Sequence, residues 1–263
     1  MADQQTVAAA PTIRWSAGPA DLATATAGYL SPVCFSLQAD LVAGVVLAPI
    51  AVLSLREVRT RRELPFALLP TVFCVHQLIE ALVWLGLDGR VPEWVQAAAA
   101  LAYVLIALPL LPLLVPTAIL LLEPRGFRAR TLPFVGLGVI VAAVLLSAVL
   151  DGPIKVVRLE HALSYDVGLS HALLWIVLYV VAVTGPAPMS GYRSIVAFGV
   201  LNVVGLTAVA LLYAEAFASL WCVYAALTSV LILVHMRRRR RLPDPHRLDG
   251  EPHEHRRAAT NRV

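Results

Sequence analysis

Seven long apolar runs constrain the fold of this chain more than any other feature of its sequence. Each run is long enough to cross a bilayer as a helix, which takes about 20 residues. Short polar or Pro/Gly-marked breaks separate them. The predicted spans are residues 33–55, 64–87, 94–122, 132–150, 168–185, 194–213 and 216–236. Because β-barrel strands alternate over about ten residues, the predicted fold is an all-α, multi-pass bundle of seven transmembrane helices.

The composition supports this interpretation. Apolar residues make up 59% of the chain and charged residues 14%, and the mean hydropathy is +0.77, which are values that soluble domains do not reach. The three cysteines, Cys34, Cys74 and Cys222, are too few for a disulfide framework and form no C-x-x-C pair. The chain is therefore predicted to be embedded in a lipid bilayer, and no nucleic-acid partner is expected.

The basic residues near the span ends predict the orientation. Thirteen of them lie in the first, third and fifth connections and after the last span, against four on the other side. Because the basic side faces the cytoplasm, the N-terminus is predicted outside and the C-terminus inside the plasma membrane. The domain prediction is a flexible extracytoplasmic segment at 1–32, the membrane domain at 33–236 and a disordered cytoplasmic tail at 237–263.

The tail opens with five consecutive arginines. They are the predicted contacts with anionic lipid headgroups, at Arg237, Arg238, Arg239, Arg240 and Arg241. The simplest interpretation is an anchor on the inner leaflet. Self-association of the chain is left open.

The second span carries the polar residues that point most strongly to a function. His76, Glu80 and Trp84 recur every fourth residue and form one stripe on a helix, with Gln77 beside it. A carboxylate in mid-membrane costs roughly 2.5 kcal/mol or more, so Glu80 is expected to face a bundle interior or a wet cavity.

Other spans bring polar groups to similar depths. Counted at about 1.5 Å per residue, Asp40 and Cys222 share the layer of Glu80, His171 lies shallower, and Asn202 lies with His76 near the midplane. The convergence predicts a polar pocket that opens outward, with Trp221 as a further candidate. Each residue also has a structural alternative: interhelical hydrogen bonds for Gln77 and Asn202, a neutral core histidine at His76, a pair between Asp40 and His171, or a structural bond at Glu80.

Several chemistries fit these residue types. His76, Glu80 and His171 are ligand types for zinc, copper or haem, although no H-x-x-x-H or H-E-x-x-H occurs in a span. The same acids and histidine could relay protons. Cys34 and Cys222 could form a disulfide or pack as small apolar residues. The third span contains prolines that should bend or break its helix, and a kink can open a cavity beside it.

Four stretches carry a resemblance to a known family. They are CFSLQADLVAGVVL at 34–47, RRELPFALLP with QLIEALVWL at 61–70 and 77–85, and YAEAFASLWCVYAAL at 213–227. The chain resembles a bacterial and archaeal family of uncharacterised integral membrane proteins with an N-terminal Cys-Phe-Ser motif and a C-terminal Phe-Ala-x-x-Trp-Cys helix. The resemblance implies no activity. It emphasises the matching positions, at Cys34, Phe35, Ser36, Gln77, Glu80, Trp84, Phe217, Trp221 and Cys222.

Three functions are consistent with these observations. The leading hypothesis is a pocket around Glu80 and His76 that binds a small ligand or ion for sensing or transport. The second is a membrane-embedded metal-dependent hydrolase or a metal- or haem-binding redox protein. The third is a structural subunit of a membrane complex, in which the polar groups only join helices.

Overall fold

The computed structural model describes residues 37–123, 128–158, 163–212 and 217–240, with some side chains of the last two helices outside the description. The described part is almost entirely helical. Its helices are α1 (Leu37–Arg56), α2 (Leu64–Leu87), α3 (Glu93–Leu105), α4 (Leu111–Leu122), α5 (Arg128–Asp151), α6 (Ala172–Thr184), α7 (Arg193–Leu212) and α8 (Phe217–Arg240). A π-helical segment, Ile106–Leu110, joins α3 to α4, and a 3-10 turn, Ala187–Met189, follows α6.

Helix α2 is the centre of the bundle. It packs against α1, α3, α4 and α8, and 61% of its most apolar window is buried, compared with 28% for α1 and for α5. Large apolar side chains such as Val45 and Ile140, 69% and 57% exposed, lie on the outer surface of those two helices. Apolar residues on the outside suit a chain whose surroundings are lipid.

The described residues contain five helical segments that are long and apolar enough to cross a membrane. They are Leu37–Arg56, Leu64–Leu87, Glu93–Leu122, Arg128–Asp151 and Ala172–Met189. The stretch Arg193–Gly205 of α7 is a shorter apolar helix. These findings support a membrane protein, whereas the number of seven spans and the orientation stay predictions. Helix α8 continues to Arg240, four residues past the predicted end of the membrane domain at Met236.

The prolines of the third span are accommodated by the π-helical segment. Leu111 donates its backbone N–H to Ile106, five residues earlier. Pro112 has no N–H to offer the next carbonyl, that of Ala107. The Tyr179 hydroxyl of α6 donates a hydrogen bond to that carbonyl instead, at 2.8 Å. A side chain from a neighbouring helix therefore satisfies the carbonyl freed by the proline, as is usual in membrane helices.

A two-stranded antiparallel hairpin caps one end of the bundle. Its strands are β1 (Lys155–Arg158) and β2 (Leu163–Asp166). Arg158 anchors it to the end of α2, since its guanidinium lies 3.0 Å from the Asp88 carboxylate and 4.8 Å from the centre of the Trp84 ring. This end of the molecule, where α2 ends and α6 begins, is called the hairpin end below.

Candidate functional site

A cavity of about 460 Å³ lies beneath the hairpin, and is called the central cavity. Its volume falls within the range of small-molecule sites. Residues of α2, α3, the π-helical segment, α4, α5, α6 and α7 form its wall together with the hairpin. The polar members of this mostly apolar wall are His76, Tyr103, Tyr165, Asp166, Tyr179, Thr184 and Asn202.

The π-helical segment contributes directly to this cavity. Ala107 and Leu108 of the segment and Leu111 directly after it lie in the wall. Tyr179, which bonds to the Ala107 carbonyl, is another wall residue. The central cavity therefore lies beside the irregular part of the third predicted span.

His76 lies in the cavity wall and is only 4% exposed, and its Nε2 has no hydrogen-bond partner. Its ring stacks on Tyr103, with 4.0 Å between the ring centres. Tyr103 stacks in turn on Tyr165 of the hairpin, at 4.3 Å. Three stacked rings thus join the middle of α2 to the cap.

Tyr165 adds a second polar atom without a partner. Its hydroxyl is buried and makes no hydrogen bond. Burial raises the pKa of Tyr165, and the negative charges of Glu80 and Asp40 raise it further. The hydroxyl therefore keeps its proton and can donate a hydrogen bond. Other unpartnered buried atoms occur among the described residues, but only these two line a cavity. Because few buried polar groups in proteins go unpaired, two in one cavity wall are a signal of a ligand site.

Glu80 lies next to this wall rather than in it. It is 4% exposed, accepts a hydrogen bond from the Tyr103 side chain and lies close enough to Asp40 to interact electrostatically. Neither carboxyl group lines the central cavity. The prediction of a pocket built around Glu80 is therefore corrected. Glu80 is hydrogen-bonded to the side chain of Tyr103, and it is Tyr103 that lies in the cavity wall and stacks on His76.

The remaining predicted residues occupy different places. Gln77 is 1% exposed and already engaged in an interaction. Trp84 is buried under the Arg158 guanidinium. Asn202 lines the central cavity together with His76, and its amide donates a hydrogen bond to the Phe198 carbonyl. His171 is exposed and lines a different cavity, whereas Asp40 is buried beside Glu80.

That second space, called the hairpin cavity, has a volume of about 540 Å³ and lies between the end of α5, the hairpin and the start of α6. It shares the wall residues Asp166, Val167, Leu169 and Trp175 with the central cavity. Charged and polar side chains line it, at Ser147, Asp151, Lys155, Asp166, Ser170 and His171. Of this set, the sequence had marked only His171 as a ligand-binding candidate.

The opposite end of the bundle contains a buried polar cluster, called the clasp, made of Glu63, Glu123, Ser190 and Arg239. The Arg239 guanidinium lies 3.1 Å from the Glu63 carboxylate, with side chains 3% and 0% exposed. Arg239 also donates to the Leu122 carbonyl. Glu123 accepts hydrogen bonds from the Ser190 hydroxyl and the Gly191 backbone N–H.

The clasp corrects one expectation about the arginine run. Arg239 lies inside the bundle and does not face lipid headgroups. A pattern in the sequence could have found it, because Ile232, His235 and Arg239 recur at helical spacing and all are buried. Arg237 and Arg238 are exposed, so headgroup contact there stays a prediction, as it does for the two arginines that follow.

The predicted disulfide lies outside the described residues, whereas possible metal ligands can be compared with the structure. Cys34 lies outside the described residues, and the Trp221 and Cys222 side chains of α8 are not described, so a disulfide stays a prediction. Cys74 is a free, buried thiol that donates to the Gly44 carbonyl. Within the part of the chain that the structure describes, no three His, Cys, Asp or Glu residues come together as a metal site.

Comparison with known proteins gives a family and no activity. Searches of curated proteins and of solved structures found no match. One family model, described as a family of unknown function, matches residues 33–247. The expected resemblance to a family without known activity is confirmed at this level, whereas its two motifs and its bacterial and archaeal distribution stay predictions. Because the match covers most of the chain, the protein belongs to the family of unknown function DUF6629.

Proposed function

We propose that this protein binds a small, mostly apolar ligand with a polar group in the central cavity, for sensing or transport across the membrane. The carrying observation is the unpartnered His76 Nε2 in the wall of a cavity of about 460 Å³. A buried polar atom without a partner costs about 1–3 kcal/mol. A ligand that supplies the missing hydrogen bond recovers this free energy, which gives the site a preference for ligands with a matching polar group.

The chemistry of the wall narrows the ligand. Tyr165 offers a donor, and a neutral imidazole that already donates its N–H to the Tyr103 backbone offers an acceptor at its other nitrogen. Most of the other wall residues are aliphatic or aromatic. The ligand is therefore an apolar body with one or two polar groups at one position, and not a small inorganic ion.

The topology belongs to the same proposal. Seven spans, with the N-terminus outside and the C-terminus in the cytoplasm of a plasma membrane, place the hairpin end outside and the clasp inside. The central cavity then opens toward the exterior. The buried ion pair between Glu63 and Arg239 supports a closed cytoplasmic end.

Binding can be tested with 1-aminoanthracene, an apolar fluorophore that carries one N–H donor group. The matched variants are Ala172→Trp, which adds a large ring to the cavity wall, and Leu173→Trp, at a 74%-exposed neighbour outside the wall. We expect the purified protein to bind one equivalent of the probe, with affinity reduced about tenfold or more in Ala172→Trp and unchanged in Leu173→Trp. Equal binding by both variants would show partition into detergent and would refute the site.

The role of His76 needs its own comparison. Phe in place of His76 keeps a ring for the stack with Tyr103 but has no nitrogen. The wild type should prefer 1-aminoanthracene over anthracene about fivefold, since one hydrogen bond contributes about 1 kcal/mol. His76→Phe should bind both probes equally. A preference that survives in His76→Phe would assign the polar contact to another residue.

A further inference from the structure

We infer that the ligand is a single-chain amphiphile with a zwitterionic head, whose apolar chain lies in the central cavity and whose head lies in the hairpin cavity. The inference rests on the proposed function and names the class of its ligand. The two cavities share four wall residues, so they adjoin directly beneath the hairpin. One side of this shared wall is mostly apolar and the other is rich in charged groups.

The charges around the hairpin cavity have both signs. Asp151 and Lys155 are exposed in its wall, and neither forms an ion pair recorded within the described residues. Asp166 lies opposite Lys155 in the strand register, and its carboxylate accepts a hydrogen bond from the Gly168 N–H at 2.8 Å. Asp151 and Lys155 are therefore the free anion and the free cation of the wall.

Two helix ends reinforce this separation of charge. Asp151 is the last residue of α5, where the helix dipole adds partial negative charge. Ser170 and His171 precede the first residue of α6, where the dipole adds partial positive charge. A cationic group of the head fits the α5 side, and an anionic group fits the start of α6 near Lys155. A head of a single charge would meet repulsion on one side.

The backbone at the start of α6 is unusual in the same place. His171 has φ of 54°, and it is the only non-glycine residue with positive φ among those described. Such a conformation is disfavoured for residues other than glycine, and strained residues cluster at ligand sites. The conformation sets the α6 N-terminus against the hairpin cavity, where it can interact with an anionic group.

The apolar half of the ligand follows from the central cavity. An alkyl chain matches the aliphatic and aromatic wall, and Trp175 borders both cavities. A polar link between chain and head, such as an ester or hydroxyl group, would lie near the shared wall. Tyr165 belongs to the central cavity beside that wall and has a free hydroxyl to donate.

The test uses lysolipids with one chain length and three heads: lysophosphatidylethanolamine, lysophosphatidylglycerol and monoacylglycerol. Native mass spectrometry of the full chain counts the bound molecules. We expect one equivalent of the zwitterionic lipid, held about fivefold or more tighter than the anionic and neutral lipids. Asp151→Lys and Lys155→Glu should each abolish this preference. Arg90→Glu, an exposed residue outside both cavities, should leave it unchanged.

Each outcome separates the inference from the proposed function. Equal binding of the three lipids, or a preference that survives both charge variants, would overturn the inference while 1-aminoanthracene binding stands. Ala172→Trp should weaken both the lysolipid and the fluorophore, because the chain and the probe share one cavity. If Ala172→Trp weakens neither, the proposed function itself fails.

Discussion

The two ends of the bundle differ in their buried charges and in the space around their unpartnered polar atoms. At the clasp end, Glu63 and Arg239 pair with each other, and Glu123 has Ser190 and Gly191 as partners. The Tyr192 hydroxyl next to Arg239 has no hydrogen-bond partner, but Tyr192 lines neither cavity. At the hairpin end, the unpartnered His76 Nε2 and Tyr165 hydroxyl belong to a cavity wall. Paired buried charges hold helices together, whereas unpartnered atoms in a cavity wall leave bonds for a ligand, so the difference indicates that one end is built for closure and the other for binding.

The largest expected effect comes from breaking the clasp. Arg239→Met leaves Glu63 as a buried charge without its partner, which typically costs about 3–5 kcal/mol. Unfolding of the detergent-solubilised protein should show this loss. Arg238→Met, at an exposed neighbour on the same helix, should change stability by about 0.5 kcal/mol or less.

A second variant distinguishes the ion pair from the packing of the long arginine side chain. Glu63→Gln combined with Arg239→Met removes both charges and keeps an acceptor for the backbone N–H groups of Arg59 and Thr60. The pair should recover most of the lost stability, because burying an uncompensated charge is the main cost. No recovery would assign the role of Arg239 to packing and to its bond with the Leu122 carbonyl.

At the hairpin end the matching experiment should raise stability. His76→Phe removes the unpartnered Nε2 and also the hydrogen bond of the imidazole to the Tyr103 backbone, while a ring remains for the stack on Tyr103. The free energy of unfolding should increase by about 1 kcal/mol, because the cost of an unsatisfied buried group, about 1–3 kcal/mol, exceeds the contribution of the lost hydrogen bond, about 1 kcal/mol. Thermal unfolding without ligand measures it. A loss of stability would mean that Nε2 carries no such cost in the folded protein, and would weaken the contrast between the two ends.

The smallest effect is expected for the exposed anchor of the hairpin. The side chains of Arg158 and Asp88 are 50% and 34% exposed, and such ion pairs contribute about 0.2–1 kcal/mol. Arg158→Gln should therefore lower global stability by less than 1 kcal/mol. Hydrogen exchange should increase in β1 and β2 and stay unchanged in α4. An effect as large as that of Arg239→Met would show that the two ends are equally structural.

The sequence predicted the helices well because apolar runs and polar breaks are local signals. The predicted span 64–87 coincides with α2, and the span 94–122 differs from Glu93–Leu122 by one residue. His76 and Asn202, which were assigned to one depth, both line the central cavity, whereas their depth in the membrane stays a prediction. The relative depth of two residues can be estimated from one sequence, because it follows from the number of residues between each of them and the end of its helix.

The pairing of side chains could not be predicted in this way. Glu63 and Arg239 are 176 residues apart in the chain, and nothing local marks which acid meets which arginine. The hairpin cavity could not be predicted for a different reason. Asp151, Lys155 and His171 are close in the sequence, but they belong to a helix end, a strand and a helix start whose arrangement in space is not marked in it. Glu80 was expected in the pocket because its position in the sequence fixes the side of α2 on which it lies. That position does not show which neighbouring side chain covers it. In the structure Tyr103, a residue of the cavity wall, covers Glu80 and bonds to it.

The π-helical segment also determines the directions in which the side chains of α4 point around the helix axis. Each residue of an α-helix turns the next by about 100°, so the extra residue in Ile106–Leu110 determines which face of α4 meets the core. Deleting a single residue there would rotate Leu111, Ile119 and Glu123 together away from their contacts. Deleting one residue beside the cavity would thus disrupt the clasp at the other end, because α4 is a continuous helix that would rotate as one unit.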